Sequence, residues 1–168
     1  MTTHLDNNKR RDNTMLPNKL AHWLTASGSL TALLENKAGQ PLRVVRTFEG
    51  FKPLNLTQKK QIGLTGQALN RPLMAWVREV LLYGDDATPW IAAQSIFPQK
   101  SLQGNAKRLK HLKNTPIGYV LFKRQTKLPN TRTITNTTEG WQRQTLYHWQ
   151  GRPILIAETF LQAFENTL

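Results

Sequence analysis

The sequence contains no cysteine. Disulfides, thiolate nucleophiles and cysteine-ligated zinc or iron–sulfur centres are thereby excluded, and a reducing compartment is a compatible setting. Acidic residues are scarce: ten Asp and Glu stand against 23 Lys and Arg, a formal net charge of +13. No apolar run approaches the ~20 residues of a membrane helix. The N-terminal stretch from Met1 to Leu20 has no apolar segment of the kind a secretory signal needs. These absences predict a cytoplasmic protein without stable membrane insertion, with residues 1–15 as a mobile polar tail. There is no Gly-x-Ser-x-Gly elbow, phosphate loop or dinucleotide fingerprint. The four histidines, His4, His22, His111 and His148, lack metal-ligand spacing. No metal and no cofactor are therefore expected.

What is present fits one domain, residues 16–168, long enough to bury a real core and 39% hydrophobic. The positive charge is uneven. From Lys100 to Arg132 there are nine Lys or Arg residues and no Asp or Glu. Such a stretch reads as a solvated basic face, as a nucleic-acid surface, or as a field that steers an acidic substrate toward a nearby site.

Leu20, Trp23 and Leu24 have helical spacing within residues 17–26, and Pro17 suits a first turn. Ser29 is placed to cap a second helix through Leu30, Leu33 and Leu34 that ends near Gly39. With only Glu35 and Lys37 as charged groups, this helix is poorly equipped to read DNA, so core packing is the better reading. Residues 42–51 read as a strand and 52–71 as a long loop, a candidate lid. Residues 73–83 and 90–97 read as a hairpin across the turn at Gly84, Asp85 and Asp86. Ser101 should cap a helix with the stripe Leu102, Ala106, Leu109 and Leu112. Thr115 and Pro116 suit a helix start, with Thr115 as the cap. Residues 132–137, 141–149 and 154–161 complete the strands. The expected class is α+β: a single antiparallel sheet with helices packed over it.

With so few acids, one inside an apolar run stands out. Glu158 shares a strand face with Ile154, Ile156 and Phe160. A carboxylate there must be paired, protonated or in use. Arg78 poses the same question between Met74, Trp76, Val80 and Leu82, because a buried guanidinium needs an anion. Glu79 points to the opposite face. Glu158 could pair with Arg78 in a plain buried salt bridge, or Arg78 could grip a substrate carboxylate. The backbone N–H groups of Leu30 and Ile117, in first helical turns, are further anion donors.

The residues Ser29-Leu30-Thr31, Glu49-Gly50-Phe51, Trp76 through Leu82, Pro89-Trp90, Thr115-Pro116-Ile117-Gly118, Leu121-Phe122, Gly151-Arg152-Pro153 and Glu158-x-Phe160-Leu161 together resemble the chorismate lyase family. The resemblance runs from about Trp23 to Leu161. It implies a cofactor-independent lyase that converts chorismate to 4-hydroxybenzoate and pyruvate, the entry step of bacterial ubiquinone synthesis. It also implies a ligand buried under flap-like segments, with a monomer as the expected state. The family's binding arginine falls on Arg78, its active-site glutamate on Glu158, and its backbone contacts on Leu30 and Ile117. Ala93-Gln94 stands where the family pattern has Gly-Arg.

Two other function classes fit parts of the sequence. A related effector-binding fold senses small aromatic acids in transcription regulators without doing chemistry. A nucleic-acid-binding protein would use the +13 charge and show steep salt dependence. For the enzyme, the partners expected are chorismate and 4-hydroxybenzoate, and no nucleic acid.

Overall fold

Six segments of alternating apolar residues pair into one antiparallel sheet. They are β1 (Arg43–Pro53), β2 (Met74–Tyr83), β3 (Ile91–Pro98), β4 (Asn130–Thr137), β5 (Gly140–Trp149) and β6 (Arg152–Phe160), ordered β1-β2-β3-β6-β5-β4. The computed structural model describes residues 15–85, 87–124 and 128–168. The expected tail therefore lies outside the described residues except for Met15, and so does Asp86 of the expected turn. The expected hairpin is β2–β3, and the closing strand β6 lies between β3 and β5.

Directly paired residues share a face, so the register defines two polar rows on what we call the front. One row runs Arg78, Ser95, Ile156, Thr145, Arg132 across β2, β3, β6, β5 and β4. The next runs Val80, Ala93, Glu158, Arg143, Ile134.

Helices α1 (Asn18–Thr25) and α2 (Leu30–Ala38) cover one end of this face. Their Leu20, Leu24, Leu30 and Leu34 pack with Val80, Leu82, Ile91 and Phe160. As expected, Ser29 Oγ accepts from the Ala32 N–H at 3.3 Å and Gly39 ends α2 in the left-handed region, φ 69°. The other end is covered by residues 99–112 and by a short helix at Ile117–Leu121. There Leu102, Ala106, Leu109, Leu112 and Leu121 pack with Phe97, Tyr147, Trp149 and Ile154. The polar rows lie at the seam between these two apolar clusters.

Three local expectations are corrected. Residues 52–71 are not one long loop. They contain α3 (Leu56–Gln61), closed by a reciprocal Asn55–Gln58 capping box, and a 3-10 turn at Gly66–Asn70. Leu54, Ile62 and Leu73 pack on the back of the sheet against Ala75, Val77, Ile96 and Leu155. Buried Lys59 holds the excursion by donating to the carbonyls of Leu69 (3.1 Å) and Arg71 (2.7 Å). Residues 101–112 are not one α-helix but 3-10 turns at Gln99–Leu102 and Gly104–His111. Gly104, at φ 61°, breaks the run, and Ser101 Oγ donates to the Pro153 carbonyl at 3.0 Å rather than capping. The predicted apolar stripe is nonetheless buried. Finally, Pro116 rather than Thr115 occupies the cap position of the Ile117–Leu121 helix (α4), and no side chain caps it. A last short helix, α5 (Gln162–Glu165), adds Phe164 to the core.

Candidate functional site

Arg78 lies mid-strand on the front face, and its side chain is among the most buried in the protein, 1% exposed. Its Nη2 donates to the carbonyls of Lys113 (2.9 Å) and Thr115 (3.1 Å). Its Nε is buried and has no partner among the described residues. Lys113 holds a left-handed backbone, φ 51°, a conformation unusual outside glycine. That strained turn delivers two carbonyls onto Arg78. Burial pushes the Arg78 guanidinium below its ordinary pKa, Glu49 opposes the shift and Arg46 adds to it. A β-bulge between Arg46 and Phe48 resets the alternation of β1 and sets Glu49 opposite Arg78. Arg46 Nη1 and Glu49 Oε2 pair at 3.1 Å.

Glu158 does not pair with Arg78, the salt bridge that the sequence left open. Arg143, its direct neighbour on β5, donates from Nε to Glu158 Oε2 at 2.6 Å. Arg143 is 0% exposed. Its Nη1 donates to the carbonyls of Trp23 (3.0 Å) and Ala26 (3.3 Å), and its Nη2 is buried with no partner among the described residues. Arg132 joins the same group. It donates to Thr145 Oγ1 (2.8 Å), to the Tyr147 hydroxyl (3.4 Å) and, with Arg143, to the Ala26 carbonyl (2.6 Å). Burial, then the nearby Arg143, pushes Arg132 below its ordinary pKa. Burial, then Glu158, pushes the Tyr147 phenol up.

Sequence reasoning overlooks Arg143. The signal was present: period-two alternation in β5 groups it with Thr145, Tyr147 and Trp149, all buried, by the same logic that singles out Arg78.

Leu30 and Ile117 are the first residues of α2 and α4. The two helix starts meet. A Cβ added to Gly118 would lie 2.7 Å from both Ser29 Oγ and Thr31 Oγ1, so only a glycine permits this approach. The Tyr119 hydroxyl also donates to Glu35, whose Oε1 accepts from the Leu42 N–H at 3.0 Å. The four candidate positions thus lie on one circuit of contacts. Arg78 holds the 113–115 turn, α4 follows it and abuts α2, the α1–α2 turn is held by Arg143, and Arg143 holds Glu158.

Gln94 is on the back face and donates to Glu79 Oε1 at 2.9 Å. The departure from the family's Gly-Arg pattern therefore puts only Ala93 on the front, directly opposite Glu158.

The sequence pattern of the chorismate lyase family matches residues 7–167. The chain belongs to the chorismate lyase family. A relative from Psychrobacter arcticus, named "Probable chorismate pyruvate-lyase", is 67% identical over 141 residues, covering 84% of this chain and 84% of that protein. The "Chorismate pyruvate-lyase" of Pectobacterium atrosepticum is 35% identical over 148 residues, covering 88% of this chain and 79% of that one. Among solved structures, a ligand-binding domain assigned to the GntR family of transcriptional regulators, from Bordetella bronchiseptica, matches with a TM-score of 0.49 at 11% identity. It covers 72% of this chain and 84% of that chain. Membership of the chorismate lyase family rests on the sequence matches. Among the described residues no helix is long and apolar enough to cross a membrane.

Proposed function

We propose that the chain removes pyruvate from chorismate to give 4-hydroxybenzoate, the entry step of ubiquinone synthesis, and that it does so as a cytoplasmic monomer. One observation carries the reading to specific residues. In a member of this family, a deeply buried arginine with an unused donor and a glutamate lie on the same sheet face. They are on β2 and β6, which are separated by β3. At roughly 5 Å per strand, the two strands lie about 10 Å apart, a span that suits a ring carrying a carboxylate and a hydroxyl at opposite ends.

In the reaction the C3–O ether bond of chorismate breaks and C4 loses its proton. The ring becomes 4-hydroxybenzoate, and the departing enolpyruvate takes up a proton and becomes pyruvate. Aromatisation supplies the driving force, so the protein's work is orientation and proton handling. Arg78 would hold the ring carboxylate, helped by the N–H groups of Leu30 and Ile117. Glu158 would stand at C4, accepting from the hydroxyl beside the proton that leaves. The apolar clusters above and below the polar rows would exclude water, which strengthens both contacts. All four residues come from one chain, so a single copy suffices.

The test is direct. The purified chain is mixed with chorismate, 4-hydroxybenzoate is followed by its ultraviolet absorbance and pyruvate by a coupled dehydrogenase. Equal amounts of the two, formed faster than in a heat-inactivated control, are expected. Binding of chorismate without either product would instead mark a sensor built on the same fold.

A further inference from the structure

Around Glu158 the charges do not balance. Arg132 and Arg143 both converge on the Ala26 carbonyl, at 2.6 Å and 3.3 Å, and Glu158 is the carboxylate that pairs with Arg143. Two cations and one anion leave a surplus positive charge in a partly to fully buried group. A buried and a half-buried cation sharing one carboxylate among the described residues are costly.

The hydrogen bonds point the same way. A guanidinium presents Nε and Nη2 along one edge, the edge that receives a carboxylate with two parallel bonds. Glu158 takes Nε through Oε2 alone, and the buried Nη2 on the same edge has no partner among the described residues. Whatever accepts from that Nη2 must lie beside Glu158. Arg78 is the second such centre, buried and with its Nε unpartnered among the described residues.

Chorismate carries two carboxylates. One is on C1 and stays in 4-hydroxybenzoate. The other is on the enolpyruvyl ether at C3 and leaves in pyruvate. With the C1 carboxylate at Arg78 and the C4 hydroxyl at Glu158, the adjacent C3 ether falls at the Glu158 end. Arg143 is the next front-face residue beyond Glu158, on the side away from Arg78. We infer that Arg143 binds the enolpyruvyl carboxylate through Nη2 while its Nε holds Glu158, so that one guanidinium grips the leaving group and positions the glutamate. This inference rests on the lyase reading. It makes Arg143 a specificity determinant: it recognises the substrate by a group that the aromatic product lacks.

Two measurements test it, both by equilibrium titration. The first uses the wild-type chain, so no variant has to fold. 3-(Carboxymethoxy)-4-hydroxybenzoate, a stable aromatic diacid with its second carboxylate on the ring position next to the hydroxyl, is compared with its side-chain methyl ester. A hydrogen-bonded charge pair of ordinary strength predicts that the diacid binds at least about 10-fold more tightly. Equal affinity for acid and ester would overturn the inference.

The second uses Arg143→Lys, which keeps the charge but loses the Nε–Nη2 edge. The diacid's advantage over its methyl ester should fall to within about 3-fold, over and above any loss of affinity that diacid, ester and 4-hydroxybenzoate share through Glu158. If diacid and 4-hydroxybenzoate weaken by the same factor, Arg143 acts only as a structural support for Glu158 and the inference fails. Product formation by the wild type from chorismate is scored separately. Its absence counts against the lyase reading, whereas wild-type turnover with an undiscriminating Arg143 counts against this inference alone.

Discussion

At the scale of single residues, Arg78 and Glu158 are asked to do different things, and their variants should separate. In the proposed site, Arg78→Ala removes a charged anchor for both substrate and product. It should cost about 10- to 100-fold in kcat/KM and weaken 4-hydroxybenzoate binding in parallel. Unchanged kinetics and affinity in that variant would remove Arg78 from the site. Glu158→Gln keeps size and hydrogen-bonding capacity but loses the carboxylate. Steady-state kinetics should show kcat falling by about 100-fold or more with KM changed much less, the pattern of a group used in the transition state. A fully active Gln variant would rule out proton transfer by Glu158. Both residues are legible in the sequence because a charge inside an apolar alternation is conspicuous. Arg143 obeys the same rule but goes unseen, because Gln142 and Gln144 flank it and β5 reads as polar along one of its sides. Its partner Glu158 follows from a local feature: the Gln150-Gly151 turn pairs Trp149 with Arg152, and counting back along both strands sets Arg143 opposite Glu158.

At the scale of elements, the junction between α2 and α4 is the most vulnerable point. Gly118→Ala would push a Cβ to 2.7 Å from two hydroxyls, so the Ser29 and Thr31 side chains or α4 itself must shift. Overpacking of this kind costs about 1–3 kcal/mol, readable as a lower denaturant midpoint, and 4-hydroxybenzoate binding should weaken with it. A variant as stable and as tight-binding as the wild type would show that the contact does not order the site. The Tyr119–Glu35 contact at the same junction has a pH signature. The hydrogen bond to Glu35, then burial, pushes the phenol from its ordinary value near 10 to about 12. Because the folded value lies above the unfolded one, the contact contributes fully below about pH 10 and is lost as pH rises through about 12. Ultraviolet titration of wild type minus Tyr119→Phe should show a phenol ionising near 12, and a difference curve centred at 10 would contradict the contact. The caps at Ser29 and Gly39 were legible because they depend on one or two neighbouring residues. Residues 52–71 read as a long loop because α3 is only six residues long, and the side of the sheet that the segment covers is set by distant partners such as Leu155. The 99–112 segment kept its buried stripe but not its helix type, since Gly104 and the Ser101–Pro153 bond interrupt it.

For the molecule as a whole, the sequence carries a net charge of +13, with nine cations between Lys100 and Arg132, and the proposed ligand is a dianion. Arg132 of that stretch reaches the Glu158 group itself, through Thr145, Tyr147 and the Ala26 carbonyl. Steering of this kind predicts that kcat/KM for chorismate falls several-fold between about 20 and 200 mM salt while kcat changes little. A flat salt profile would mean that the basic surface serves something else, and steep salt-dependent binding to DNA or RNA would identify it. The antiparallel α+β class followed from strand and turn signals, because short connections restrict neighbours to antiparallel pairing. The strand order, with β6 inserted between β3 and β5, did not, since long-range pairing leaves no local trace. That insertion is what sets Glu158 on the same face as Arg78, two strands away.

The measurement that bears most directly on this account is a crystal structure of the chain with 4-hydroxybenzoate. The account predicts one molecule on the front face, its carboxylate on Arg78 and its hydroxyl at Glu158, beneath α2 and α4. A separate groove of about 500 Å³ lies where the 62–73 excursion meets Pro98 and Pro153, lined by Leu64, Arg71 and Arg152. A product molecule found there, with Arg78 still bonded only to the 113–115 turn, would contradict it.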